Sequence, residues 1–384
     1  MARRRVAVVQ STIISGGGTE AVTAWTMEAL KEEYQLSLLT FSRVDAGLLN
    51  RFYGTELAAD DFSIIRPRLS SLLSRTYRLS ILKDHLMMRY CKSARDDVDL
   101  FISVGSGMDF GRRGIQYVAY APASTFVKVL TRDRSMSGRY YFFKKSFMGL
   151  CESISRFSED SLKGNITLAT SKWTGKLIQE MYAVNDYEVV FPPVEAQSSS
   201  TPWPMRKEGF LCVARIVPEK LVHEAIEILM LVRQKGFDVS LHIVGRGDDA
   251  NYLRKVNQLA EEHSSWVFVH GVLAKKELFS LMDQNKYGIN AAQGEPSGVA
   301  ALEMVKAGCI LFMRNGGGLP EIVDTAELTY DGVDDGVRKI TAVLSDESIQ
   351  QGLCTRLEGK AETFSTENFC NALRRIVRDF FNGQ

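Results

Sequence analysis

Two carboxylates and two cations in the second half of the chain have spacings that suit chemistry. Glu295 and Glu303 are eight positions apart in "GEPSGVAALE", the first on a Gly/Pro-rich loop and the second inside a helical pattern. A carboxylate accepts paired hydrogen bonds, so both suit sugar hydroxyls. Glu295 could instead be an ordinary helix cap, and Glu303 a solvated helix position. Ala300, Ala301, Leu302, Met304 and Val305 make that helix apolar almost all round, which favours a purpose for Glu303. Arg215 and Lys220 follow "GFLCVA", where a helix is expected to start. Cations at that end oppose the helix dipole, so a bound anion explains them better than helix stability does. The alternative is a solvated pair matched to Glu219. Gly294, Pro296 and Gly298, and then Gly316, Gly317 and Gly318, let backbone approach a ligand closely on the same rim. The helix after Glu295 is expected to start near Ser297.

These residues need a scaffold, and the pattern around them supplies one. From residue 208 short apolar runs alternate with helical patterns: "GFLCVA", "VSLHIVG", "WVFVHG", "YGINAA" and "CILFM" read as buried strands. Such alternation implies a parallel, doubly wound sheet that binds ligands at the carboxyl ends of its strands. The front half repeats the theme with "RVAVVQ", "YQLSLLTF", "VDLFISVG", "IQYVAYAP" and "ITLA". "RVAVVQ" is expected to be a first buried strand, not a targeting segment. The Pro/Ser-rich "VVFPPVEAQSSSTPWPMRKEG" separates the halves. The expected division is a front domain at 1–190, a linker at 191–207, a back domain at 208–365 and a helix at 366–384 that could pack on the front domain.

Composition limits the function classes. The chain has 384 residues, 45% apolar and 24% charged, which fits two globular domains of ordinary composition. No apolar run reaches the roughly 18–20 residues of a membrane span. Six scattered cysteines without a CxxC pair argue against a zinc site or disulfide framework. Residues 1–190 carry 26 Lys/Arg against 20 Asp/Glu, whereas the remainder carries 21 against 26, so the halves should have different partners. Residues 66–95 and 112–145 each hold eight basic residues and one acid, interleaved with Leu, Tyr and Phe. That pattern suits an anionic membrane surface, with Arg75, Arg78, Arg139, Lys144 and Lys145 as the contacts. Alternatively, the apolar stripe Leu72, Leu79, Leu82, Leu86 and Tyr90 packs on the sheet.

Arg215 and Lys220, "VGRGD" at 244–248, "VHG" at 269–271, Glu295 with Glu303, and "GGGLPEIV" at 316–323 occur in an order that resembles retaining glycosyltransferases of the GT-B fold, in the GT4 family. "GGGTEA" after the first strand resembles that family's Gly-Gly-x-Glu loop, with Gly16, Gly17, Gly18 and Glu20. The resemblance implies an α/β fold of two Rossmann-like domains facing each other across a cleft. It implies a nucleotide-sugar donor in the back domain and an acceptor glycan or glycolipid in the front. Arg215 and Lys220 would neutralise the diphosphate, Ser297, Gly298 and Val299 would offer amides, Glu303 would bind ribose and Glu295 the transferred sugar. Gly245 and His270 would line the donor site. No metal or other cofactor is expected, and nucleic acid is not an expected partner. The expected location is cytoplasmic, peripheral on the membrane's inner face.

Where that family often carries a histidine, this sequence reads "QYVAYAP", with Ala119 or Tyr120 at the position. A catalytically weak scaffold subunit is therefore an alternative. A dinucleotide oxidoreductase is another, since Gly16, Gly18 and Ala21 fit G-x-G-x-x-A. That fingerprint should start at the strand end, whereas "STIIS" intervenes, and Ser42 and Arg43 stand where a ribose-binding acid would follow the second strand.

Overall fold

A computed structural model describes residues 3–13, 17–68, 70–73, 79–119, 138–195 and 200–383, without the side chains of Leu72 and 138–144. The chain divides into two units, residues 1–193 with 366–384, and residues 194–365.

The front unit is built on β1 (Arg5–Val9), β2 (Gln35–Leu39), β3 (Phe62–Ile65), β4 (Leu100–Gly105), β5 (Ile115–Val118), β6 (Ile166–Ala169) and β7 (Glu188–Val189). They form one parallel sheet in the order β3-β2-β1-β4-β5-β6-β7. The back unit holds β8 (Lys207–Val213), β9 (Ser240–Val244), β10 (Val267–Gly271), β11 (Asn285–Asn290), β12 (Ile310–Arg314) and β13 (Thr329–Tyr330). These are also parallel, in the order β10-β9-β8-β11-β12-β13. Central strands such as "LFISVG" are buried at every position, as a parallel sheet covered on both faces requires. The short edge strands β7 and β13 carry two residues each, too few to show a period in the sequence.

The Thr366–Asn382 helix belongs to the front unit. Phe369, Leu373, Ile376, Val377 and Phe380 recur at helical spacing and are buried with Met27, Leu30 and Tyr34 in one core cluster. Phe381 stacks on Tyr34 at 5.7 Å between centroids.

Of the stretch expected as a linker, residues from Val194 onward belong to the back unit. The Val194 amide donates to the Phe364 carbonyl at 3.2 Å. The Ser200 and Thr201 amides and hydroxyls all donate to Asp283, and buried Arg206 donates to the Ala307 carbonyl. Proline stiffens this strap and its polar side chains fasten it.

Where they are described, parts of the basic front stretches are used within the front unit. Leu79, Leu86 and Tyr90 pack against a core cluster. Lys83 is buried. Arg66 donates to the Phe41 carbonyl and Arg89 to the Ile154 carbonyl. Lys92 on the Ser80–Ser93 helix meets Asp109, after β4, at 2.5 Å, and also donates to the carbonyls of Ser155 and Arg156. Arg75, Arg78 and the side chains of Arg139 and Lys144 lie outside the described residues, and Lys145 is exposed.

Asp109 is fully buried and accepts from the Gly111 and Ser158 amides as well. Burial alone would raise its pKa. The hydrogen bonds from Lys92, Ser161 and the two amides outweigh that and hold it below the usual carboxylate value. Its stabilising contribution is therefore complete above the unfolded pKa and is lost as pH falls through the lower folded one. Removing one member of a buried pair leaves an uncompensated charge, at a cost of about 3–5 kcal/mol. Asp109→Ala should lower the urea midpoint accordingly, and a change below about 1 kcal/mol would contradict this role.

Candidate active site

β8 lies between β9 and β11, so the loops that leave β8 and β11 diverge from neighbouring strand ends. Such a reversal point opens a crevice at the carboxyl edge of the sheet. Lys220 enters it from the loop after β8, and Glu295 from the loop after β11. Lys220 Nζ and Glu295 Oε1 are 2.6 Å apart, with side-chain exposures of only 15% and 20%. Asn290, the last residue of β11, donates to the other Glu295 oxygen at 3.4 Å.

Local chemistry fixes each partner. Ile216 and Val217 are buried and anchor the loop, and Pro218 opens a tight 3-10 turn, Pro218–Lys220. Leu221 follows at φ +49°, and the helix starts only at Val222. Lys220 thus sits in a turn before the helix, not in its first turn as expected from the sequence. A left-handed residue other than glycine costs about 1–2 kcal/mol, a strain this loop holds next to Lys220.

Glu295 is held by its backbone. Its carbonyl accepts from the Gly318 amide at 2.8 Å. A Cβ on Gly317, at φ +69°, would lie 2.4 Å from that carbonyl oxygen, so no side chain fits there. Gly298, at φ +58°, caps the Val299–Lys306 helix, which begins two residues later than Ser297. Gly245, after β9, packs so closely that a Cβ would meet the Ala214 carbonyl oxygen at 1.8 Å, beside Arg215.

Arg215 is more than half exposed and divided between two carboxylates, Glu219 at 3.8 Å and Asp248 at 3.7 Å. Exposed pairs of this kind contribute about 0–1 kcal/mol, so Arg215 is easily redirected. Glu303 is half-buried and has no hydrogen-bond partner among the described residues. Burial pushes its pKa up to about 7, with Lys275 pulling it down and Glu195 pushing it further up. Lys275 and Glu195 are ion-paired to each other. His270 lies elsewhere: its Nε2 meets His242 Nδ1 at 3.0 Å and the two rings stack. No described contact joins it to Lys220 or Glu295.

In the front unit Gly17 precedes the Gly18–Leu30 helix, and the buried Glu20 carboxylate folds back over it. A Cβ on Gly17 would be 2.1 Å from Glu20 Oε2, which also accepts from Thr19 Oγ1 at 2.9 Å. Gly16 and Tyr120 lie outside the described residues, and Ala119 is partly buried. Among the described residues no three His, Cys, Asp or Glu side chains converge as metal ligands.

The sequence reading missed Asn290 and the Arg215 partner Asp248. Asn290 had a signal, an amide closing an otherwise apolar strand. Asp248 closes the "VGRGD" stretch, but its pairing with Arg215 depends on β8 and β9 being neighbours.

Comparison with known proteins gives a family match over the back unit and a fold for the whole chain. Residues 193–363 match the family model for glycosyl transferases group 1. Among curated proteins none matches the sequence. Similar solved structures include HepE of Anabaena in complex with UDP and glucose, at 12% identity and a TM-score of 0.68, covering 98% of this chain and all of that one. Sucrose-phosphate synthase from Thermosynechococcus elongatus is 13% identical with a TM-score of 0.69 over the whole of both chains. WaaG, a glycosyltransferase involved in lipopolysaccharide biosynthesis, is 15% identical with a TM-score of 0.66, covering 96% of this chain and 99% of its own. The chain has the GT-B fold, and its back unit resembles the glycosyl transferases group 1 family, whose model it matches over residues 193–363.

Proposed function

We propose that the protein is a retaining glycosyltransferase whose back unit holds a nucleotide-sugar donor at the Lys220–Glu295 crevice. The observation that carries this is the pair itself: a cation and a carboxylate, both largely buried, at the reversal point of a parallel sheet, beside a helix opened by left-handed Gly298. Lys220, joined by Arg215, meets the diphosphate, and the amides of Ser297, Gly298 and Val299 face it. Glu295, freed from Lys220, accepts hydroxyls of the sugar. Glu303, with no partner among the described residues, accepts the ribose hydroxyls. UDP and glucose bound to HepE make UDP the first nucleotide to test.

Transfer proceeds on one face of the sugar. The bond from C1 to the phosphate oxygen breaks, and its electrons stay on that oxygen. The acceptor hydroxyl oxygen bonds C1 from the same side, and its proton passes to the departing phosphate. Arg215 and Lys220 stabilise the negative charge as it develops, with no metal required; fixed charges of this kind commonly supply the largest catalytic contribution. The acceptor we assign is a lipid-linked or cell-surface glycan, in keeping with the lipopolysaccharide role of WaaG and the basic front half. The protein then works at the cytoplasmic membrane face. No helix among the described residues is long and apolar enough to cross a membrane. Retention of an intact donor crevice argues for catalysis over a purely scaffolding role.

Arg215→Ala and Lys220→Ala should each lower donor turnover by about 10²–10³ with the fold unchanged. Wild-type rates in both would remove the diphosphate assignment. In calorimetry, Glu303→Ala should weaken UDP itself, whereas Glu295→Ala should spare UDP and weaken UDP-glucose. Equal losses would reverse the two roles.

Ribose hydroxyls bind a carboxylate better than a neutral acid. UDP affinity should therefore rise as pH increases through about 7, where Glu303 ionises, and this rise should vanish in Glu303→Gln. A flat profile from pH 6 to 8 in the wild type would contradict the ribose role. On vesicles, the protein should co-sediment with anionic lipid at low salt and detach at high salt. Remaining in the supernatant at low salt would exclude the membrane face.

A further inference from the structure

The front sheet has a reversal point of its own. β1 lies between β2 and β4, so the loops after β1 and β4 part and leave a crevice at the carboxyl edge. Two consecutive residues of the Ser80–Ser93 helix reach toward it. Lys83 is 1% exposed, and its Nζ donates to Thr12 Oγ1, after β1, at 3.1 Å. Asp84 lines a cavity of about 30 Å³ with Ser106 and Gly107, which follow β4, and with His85 and Glu152. Its carboxylate is half-buried and faces the Ser11 hydroxyl and the Lys83 charge. Ser11 follows β1, and its buried hydroxyl has no other partner among the described residues. Burial pushes the Asp84 pKa up to about 6, while Ser11 and Lys83 favour its ionised form.

A desolvated carboxylate with a single hydroxyl beside it has unused acceptor capacity, and a ligand that donates hydrogen bonds would fill it. The charges here decide what kind of ligand. Asp84 and Glu152 on the cavity wall repel a phosphate or carboxylate, whereas a neutral hydroxyl donates to Asp84 freely. Size decides how much of it enters. The cavity has room for about one water-sized group, not a sugar ring. Phe157, Leu162 and Tyr182 complete its apolar wall.

We infer that Asp84 is the acceptor-reading residue of the front unit, accepting a hydrogen bond from one hydroxyl or hydroxymethyl group of a neutral sugar acceptor whose ring stays outside the cavity. This rests on the glycosyl-transfer reading for the word acceptor, while the sugar site itself stands on the front unit alone. Lys83 is a positioning residue: its charge, fixed by Thr12, keeps Asp84 ionised and ready to accept.

The test uses the full chain and saturation-transfer NMR with three probes, methyl α-glucoside, methyl α-galactoside and methyl N-acetyl-β-glucosaminide. At least one should bind the wild type, and Asp84→Asn should weaken it at least tenfold with UDP affinity unchanged. The variant should still unfold cooperatively, so that lost glycoside binding is not lost folding. A variant that no longer folds would show that Asp84 serves the fold instead and would overturn the proposal. So would failure of all three glycosides to bind, or equal binding to the variant. UDP binding without glycoside binding leaves the donor reading standing and removes this one. Glycoside binding that needs Asp84, without UDP binding, does the reverse.

Discussion

Parallel pairing of β8 with β11 is the constraint on which the back unit's site depends. The register sets Phe210 against Tyr287 and Leu211 against Gly288. Phe210 and Tyr287 stack at 4.9 Å, fully buried, which locks the two strands from their cores. Gly288 does a second job. A Cβ there would lie 2.7 Å from Leu311 and 2.8 Å from Met304, so its absence lets the Val299–Lys306 helix settle onto the sheet. That helix carries Glu303, and the loop before it carries Glu295. With this register in place, the loops after β8 and β11 deliver Lys220 and Glu295 to one point from opposite sides of a reversal in strand order.

The crevice is electrostatically self-contained. Lys220 neutralises Glu295, and Glu219 and Asp248 share Arg215. None of these five groups must be left as an unpaired charge in the ligand-free protein, which would be costly where burial is deep. Glu303 is the exception: it has no hydrogen-bond partner among the described residues, and burial pushes its pKa up. The glycine loop at 316–318 holds the Glu295 backbone still, through the Gly318 amide and the close approach of Gly317.

Much of this was legible in the sequence, for identifiable reasons. Strands such as β4 and β12 are buried on both faces and read as unbroken apolar runs. Glu295, Glu303 and Lys220 stood out because their types oppose their local setting. Arg215 was legible as a cation, but its pairing with Asp248 needs the order of β8 and β9. Lys220 was placed in a helix because nothing in the sequence reveals that Leu221 is left-handed. The stripe of Leu79, Leu86 and Tyr90 with interspersed cations has the pattern of a membrane face, yet in the fold it packs on the front sheet, with Lys92 spent on Asp109. Sequence pattern cannot separate those outcomes, since both bury an apolar stripe. Asp84 drew no attention for the same reason: a lone acid in a basic helix looks solvated until the ends of β1 and β4 are brought around it.

The most direct measurement is a crystal structure of the protein with UDP-glucose. The account predicts the diphosphate at Lys220 and Arg215 near the start of the Val299–Lys306 helix, the ribose on Glu303, and the Lys220–Glu295 contact opened so that Glu295 faces the sugar. A nucleotide bound elsewhere, or bound with the Lys220–Glu295 pair intact and the sugar remote from Glu295, would contradict it.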